Sequence, residues 1–137
     1  MKKEHKLILD LISSYLEKYP DQRFGQAIFN LGVNEFIKND SSLPTYNLRD
    51  IYNDEDSVII KRIENQLEWF NLQKKVNEGI SNIEGLSSMT VNERLFRTGL
   101  LEQFDIFKKS NKNYAKYILE SLYVDSESIE DILSSDK

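Results

Sequence analysis

The sequence has no cysteine, a single histidine, two prolines and five glycines in 137 residues. Without thiols there are no disulfides, no thiolate nucleophile and no cysteine-based zinc site. The lone histidine, His5, stands near the start of the chain, and no Ser–His pair or His-ligated metal site can be assembled around it. So few turn-forming residues argue against a β protein and suit long helices. The longest uninterrupted apolar runs, such as Leu7 to Leu9 and Val58 to Ile60, are three residues, against the roughly 20 needed to cross a bilayer. Asp10 interrupts the apolar segment after Lys2 and Lys3, and no small-residue cleavage site follows, so the expected location is cytoplasmic. There is no phosphate-binding loop, dinucleotide fingerprint or nucleophile elbow.

What is present is an ordinary globular balance of 39% apolar and 30% charged residues, with seven Phe, seven Tyr and one Trp to fill a core. The net charge is −5. It is spread evenly, with 11 basic and 14 acidic side chains in residues 1–86 and 7 and 9 in residues 87–137. Neither part is a basic arm. Non-specific nucleic-acid binding, which needs clustered Lys and Arg, is disfavoured, and a basic partner surface is mildly favoured.

The apolar spacing predicts helices throughout. The first spans Lys3 to Tyr19, with Ile8, Leu11, Ile12, Tyr15, Leu16 and Tyr19 on one face, and stops at Pro20. A second, capped by Asp21, spans Gln22 to Lys38, with Gly25 and Gly32 on one face where another backbone could approach. Asn39 to Tyr52 reads as irregular, with one short helical turn around Leu48, Ile51 and Tyr52. A third helix, capped by Asp54 or Asp56, spans Glu55 to Ile83. Its stripe shifts from Ile59, Ile63, Leu67 and Phe70 to Trp69, Leu72, Val76, Ile80 and Ile83, so it curves or breaks near Gly79. Gly85 suits a C-cap. Thr90 to Glu93 forms a capping box opening a fourth helix over Val91 to Lys109. A fifth, opened by Ser110 or Asn111, buries Ala115, Ile118, Leu119 and Leu122, and a short last helix follows Asp125 or Ser126. No stretch alternates with period two, so no strand is expected.

The segments EKYPDQRFGQAIFNLGVNEF and LRDIYNDEDSVIIKRIE resemble a family of short bacterial helical proteins. The segment MTVNERLFRTGLLEQFD resembles a separate small bacterial module. The resemblance covers about two thirds of the chain. It implies a bacterial or phage protein assembled from two helical modules, and carries no reaction, cofactor or functional residue with it.

Five groups of residues are candidate sites, each with a plainer alternative. Arg23 opposes the dipole at a helix start, as an anion- or partner-binding residue or as a salt bridge to Asp21, Asp50 or Asp54. Gln26, Asn30 and Asn34 recur every four residues, as a hydrogen-bonding ridge for a partner or a solvated face. Asp50, Asp54, Glu55 and Asp56 could hold a hard cation or merely cap a helix; the spacing is not that of an EF-hand, and no metal is assigned. Arg94 and Arg97 open a helix as partner contacts or as part of a salt-bridged face with Glu93. Lys108, Lys109, Lys112 and Lys116, interleaved with Tyr114 and Tyr117, form either a small nucleic-acid patch or a solvated face.

The sequence reading is therefore an all-α protein of five or six helices, an N-terminal three-helix unit (1–86) packed with a C-terminal helical hairpin (87–137), as separate modules or over one shared core. The expected function is a non-catalytic protein-interaction module of the adaptor, inhibitor or immunity kind. It would bind another protein, need no cofactor, and be capable of self-association. The alternatives are a nucleic-acid-associated regulator and a carboxylate metal-dependent module.

Overall fold

The computed structural model describes residues 1–38 and 46–135. Among them the chain is all-helical: seven α-helices, one 3₁₀ turn (Leu86–Ser88) and a single isolated β-bridge. It forms two compact units, Met1–Phe70 and Asn71–Lys137, and the division falls inside one helix.

In the first unit, α1 (Lys3–Lys18) runs as its periodicity predicts and buries Ile12 and Tyr15. Helix α2 covers only Phe24–Asn30, where the sequence predicts Gln22 to Lys38. Arg23, not Asp21, is its N-cap residue. Its early end has a local cause. Gly32 adopts φ 76°, its N–H donates to the Phe29 carbonyl, and the Val33 N–H reaches back to the Ile28 carbonyl. This is a Schellman closure, with Val33 and Ile28 as its apolar pair. Gly32 is therefore no interior helical residue, though a Cβ there would meet Gln66 Cγ at 3.3 Å and the Arg62 carbonyl oxygen at 3.5 Å, whereas Gly25 has open space where a Cβ would stand.

The core of this unit is Ile12, Tyr15, Ala27, Leu31 and Ile63, flanked by Ile8, Leu11, Leu16, Ile28, Val33, Ile59, Leu67 and Phe70. Helix α3 (Asp56–Ile80) contributes its first predicted stripe here. The expected irregular stretch after Lys38 falls partly on residues 39–45, outside the described residues. On either side of them the chain pairs with itself. Phe36 bridges antiparallel to Leu48, the Ile37 N–H donates to the Asn47 carbonyl at 2.9 Å, and the Arg49 N–H donates to the Glu35 carbonyl at 2.8 Å. Around Ile51 and Tyr52 the chain makes a turn closed by the Asp54 N–H on the Ile51 carbonyl, not a helix.

The second unit takes the remainder of α3, where Leu72 and Val76 are buried, and packs it with four short helices instead of the expected hairpin. The predicted fourth helix is divided at Gly99 into α4 (Val91–Arg97) and α5 (Leu101–Ser110). Gly99 has φ 74°, and a second Schellman closure joins Gly99 to Phe96 and Leu100 to Leu95. Helices α6 (Lys112–Ser121) and α7 (Ser126–Ser134) follow, capped as expected by Asn111 on the Tyr114 N–H and Asp125 on the Ser128 N–H. The end of α6 repeats the Schellman pattern with Tyr123 at φ 63°, its N–H on the Glu120 carbonyl and the Val124 N–H on the Leu119 carbonyl. Leu95, Leu100, Ile118, Leu119 and Leu122 are fully buried in this core. Gly85 is left-handed as expected, but opens the 3₁₀ turn and does not close α3, which ends at Ile80. No described helix is long and apolar enough to cross a membrane.

Candidate functional site

The most organised surface feature lies in the first unit, where α2 ends. Arg62, on α3, donates from Nε to the Gly32 carbonyl at 2.8 Å and from its NH2 group to the Val33 carbonyl at 3.1 Å. The same NH2 group lies 3.0 Å from Asp54 Oδ2. Asp54 also receives both terminal nitrogens of Arg49, and Arg49 Nε donates to Glu35 Oε1 at 3.0 Å. A bidentate guanidinium is the strong form of this interaction. The chain Glu35–Arg49–Asp54–Arg62 fixes the α2 exit, the Phe36–Leu48 bridge and the start of α3 to one another. The Arg49 hydrogen bonds, joined by those of Arg62, hold the Asp54 carboxyl below the usual carboxylate range against a partial opposing effect of burial. The Arg49 pKa is raised in turn, chiefly by Asp54.

This frame presents a row of aromatic rings to solvent. Phe29 and Phe36 have centroids 4.9 Å apart at 60°, and Phe36 meets Tyr46 edge-on at 5.9 Å and 87°. Tyr46 is 75% exposed, and Phe29 and Phe36 are each 39% exposed. Beside the row lies a cavity of about 280 Å³. Phe29, Phe36, Trp69 and Phe70 supply its rings, and Asn30, Asn34, Glu35 and Gln66 its polar groups.

The predicted polar ridge is thus partly brought together. Asn30 and Asn34 both line the cavity, although Asn34 lies beyond the end of α2. Asn30 Nδ2 donates to Gln22 Oε1 at 3.3 Å. Gln26 is spent locally, its Oε1 accepting from the Arg23 backbone N–H at 2.9 Å, half of a capping box. The Arg23 side chain is exposed, and Asp54, one of its expected partners, is held by the other two arginines.

The acidic cluster diverges instead of converging. Asp50 accepts from the Tyr52 N–H, Asp54 binds the two arginines, and Asp56 meets His5 Nε2 at 2.9 Å. Among the described residues no group of three or more carboxylates or histidines is placed to share a cation.

In the second unit Arg94 is committed to backbone. Its guanidinium donates to the carbonyls of Met89, Leu122, Tyr123 and Ser87 at 3.0 to 3.2 Å. Arg97 is exposed in the last turn of α4, where a cation suits the dipole. Lys112 Nζ donates to the Leu133 carbonyl, Lys116 lies 3.7 Å from Glu120, and the Tyr114 ring packs edge-on against Phe107 at 5.3 Å. Lys112 and Lys116 border a groove of about 620 Å³ between α6 and α7, whose wall also carries Glu120 and Glu130. Lys108 is half-buried and Lys109 exposed. Lys112 and Lys116 thus border mixed charge.

Arg49, Arg62 and the aromatic row were missed by sequence reasoning. The chain's one Trp beside Phe70 was the available signal for the cavity, and was read as core. No family model, curated protein or solved structure matches the chain.

Proposed function

We propose that the chain is a non-catalytic protein-interaction module, an adaptor, regulator or inhibitor of a bacterial or phage cytoplasm, and that it binds its partner through the Phe29–Phe36–Tyr46 row. The observation that carries this reading is that three neighbouring aromatic rings stand exposed on a frame of charge-assisted hydrogen bonds. Contiguous exposed apolar surface is costly in a lone protein and characteristic of binding faces. Aromatic anchors held rigid before binding are what interface hot spots are made of. The nucleic-acid and metal readings have less support, because Lys112, Lys116, Asp54 and Asp56 already have partners within the chain.

The test is capture from a bacterial lysate with the tagged chain and with the double variant Phe36→Ala, Tyr46→Ala. A stoichiometric partner held by the parent and lost by a variant that still unfolds cooperatively is the expected result. Equal recovery of the same partner by both removes this surface from the function.

A further inference from the structure

We infer that the cavity beside the aromatic row receives an arginine side chain of the partner. This rests on the interaction reading above and specifies the chemistry that the site selects. A guanidinium is flat, cationic and rich in donors, so it needs ring faces to stack on and in-plane acceptors. The cavity offers both. Phe36 and Trp69 are among its rings, and the Asn34 and Gln66 amides and the Glu35 carboxylate are among its polar groups. Asn30, with one Nδ2 proton on Gln22, has its Oδ1 to offer as an acceptor. Among the described residues no lysine or arginine lines the cavity, and the charged side chain in its lining is the Glu35 carboxylate. Arg49 engages Glu35 through Oε1, which leaves Oε2 to accept from a second guanidinium, as Asp54 accepts from both Arg49 and Arg62. The whole chain carries −5, which favours approach of a basic segment. A lysine ammonium would gain the attraction of the rings but would leave the spread of acceptors unused.

Trp69 is the only tryptophan in the chain and lines the cavity, so its fluorescence is a probe of binding there. The full chain is titrated with acetyl-Gly-Arg-Gly-amide and with the same peptide carrying citrulline, which keeps the shape and loses the charge. A saturable change with the arginine peptide, about tenfold weaker with citrulline, is expected. Glu35→Gln and Phe36→Leu should each weaken the arginine titration while leaving cooperative unfolding intact. The absence of a saturable change, or equal affinity for both peptides, overturns the assignment. The lysate capture then separates the two ideas: a partner still lost with Phe36→Ala, Tyr46→Ala leaves the interaction surface standing without its arginine.

Discussion

Arg62 Nε donates to the Gly32 carbonyl at 2.8 Å, so a side chain on α3 closes the turn that ends α2, thirty residues earlier. The Schellman closure satisfies the Ile28 and Phe29 carbonyls from the backbone, and Arg62 takes those of Gly32 and Val33 just beyond the helix end. Arg62→Lys keeps the charge but cannot span two carbonyls and Asp54 together. It should cost about 2 kcal/mol in urea-monitored unfolding. A loss below about 0.5 kcal/mol, the level of a typical surface substitution, would show that the clamp contributes little.

Asp54 makes the first unit acid-sensitive. Its folded-state pKa is depressed, chiefly by Arg49 and then by Arg62. A depressed carboxylate contributes stability at pH values above its ordinary pKa, and that stability is lost as pH falls through the folded value. Thermal midpoints should therefore decline as pH drops below about 4. Asp54→Asn should be less stable than the parent at neutral pH and should show a shallower decline in that acid window. Parallel curves for the two proteins would contradict this account.

Arg94 shows the same kind of clamp, since it reaches the carbonyls beside the α6 closure at Leu122 and Tyr123. Arg94→Ala should lower stability by about 1–3 kcal/mol by leaving acceptors unpaired. It should leave partner capture unchanged once the folded fraction is matched. Loss of capture by folded Arg94→Ala would restore the binding role that its sequence position suggests.

The residues at special backbone positions should respond with different signs. Tyr123 holds φ 63° with its ring 71% exposed, so Tyr123→Gly should stabilise the chain by about 1 kcal/mol. Gly25 has open space around its absent Cβ inside α2, and Gly25→Ala should add about 0.5–1 kcal/mol. At Gly79, inside α3, a Cβ would stand 2.5 Å from the Thr98 carbonyl oxygen. Gly79→Ala should destabilise by at least about 1 kcal/mol, the scale of overpacking a fixed neighbour. Differential scanning calorimetry of the three variants checks the order, and a stabilising Gly79→Ala would contradict the close approach.

The all-helical class and most helix starts were legible because they are local. A period near 3.6 in Ile8 to Leu16, and caps at Asn111 and Asp125, are written within one turn of chain. Helix ends were less legible, although they also carry a signature. The segments IFNLGV, LFRTGL and LESLYV place an apolar residue, then a left-handed one, then another apolar residue in the same register. Read as interior positions, Gly32 and Gly99 merged pieces that the backbone separates. The tyrosine in the third segment hid the pattern altogether. The candidate site was legible at Asn30 and Asn34 and at Asp54, whose arginine partners were not. Its frame depends on Arg49 and Arg62 meeting at Asp54, and its rings come from segments on both sides of residues 39–45, pairings that no local period encodes.

Helix α3 serves both cores, with Ile63 buried in one unit and Leu72 and Val76 in the other. Dissection of the gene at the visible turn near Leu86 would therefore strip the C-terminal fragment of three buried side chains, Leu72, Val76 and Leu86, together with the Gly79 backbone on which Thr98 rests. A cut between Phe70 and Asn71 would instead leave each product with a severed helix end whose backbone groups had been internally bonded. Evolutionary shuffling of either unit as an independent cassette meets the same obstacle, because its natural border lies in the middle of a shared structural element.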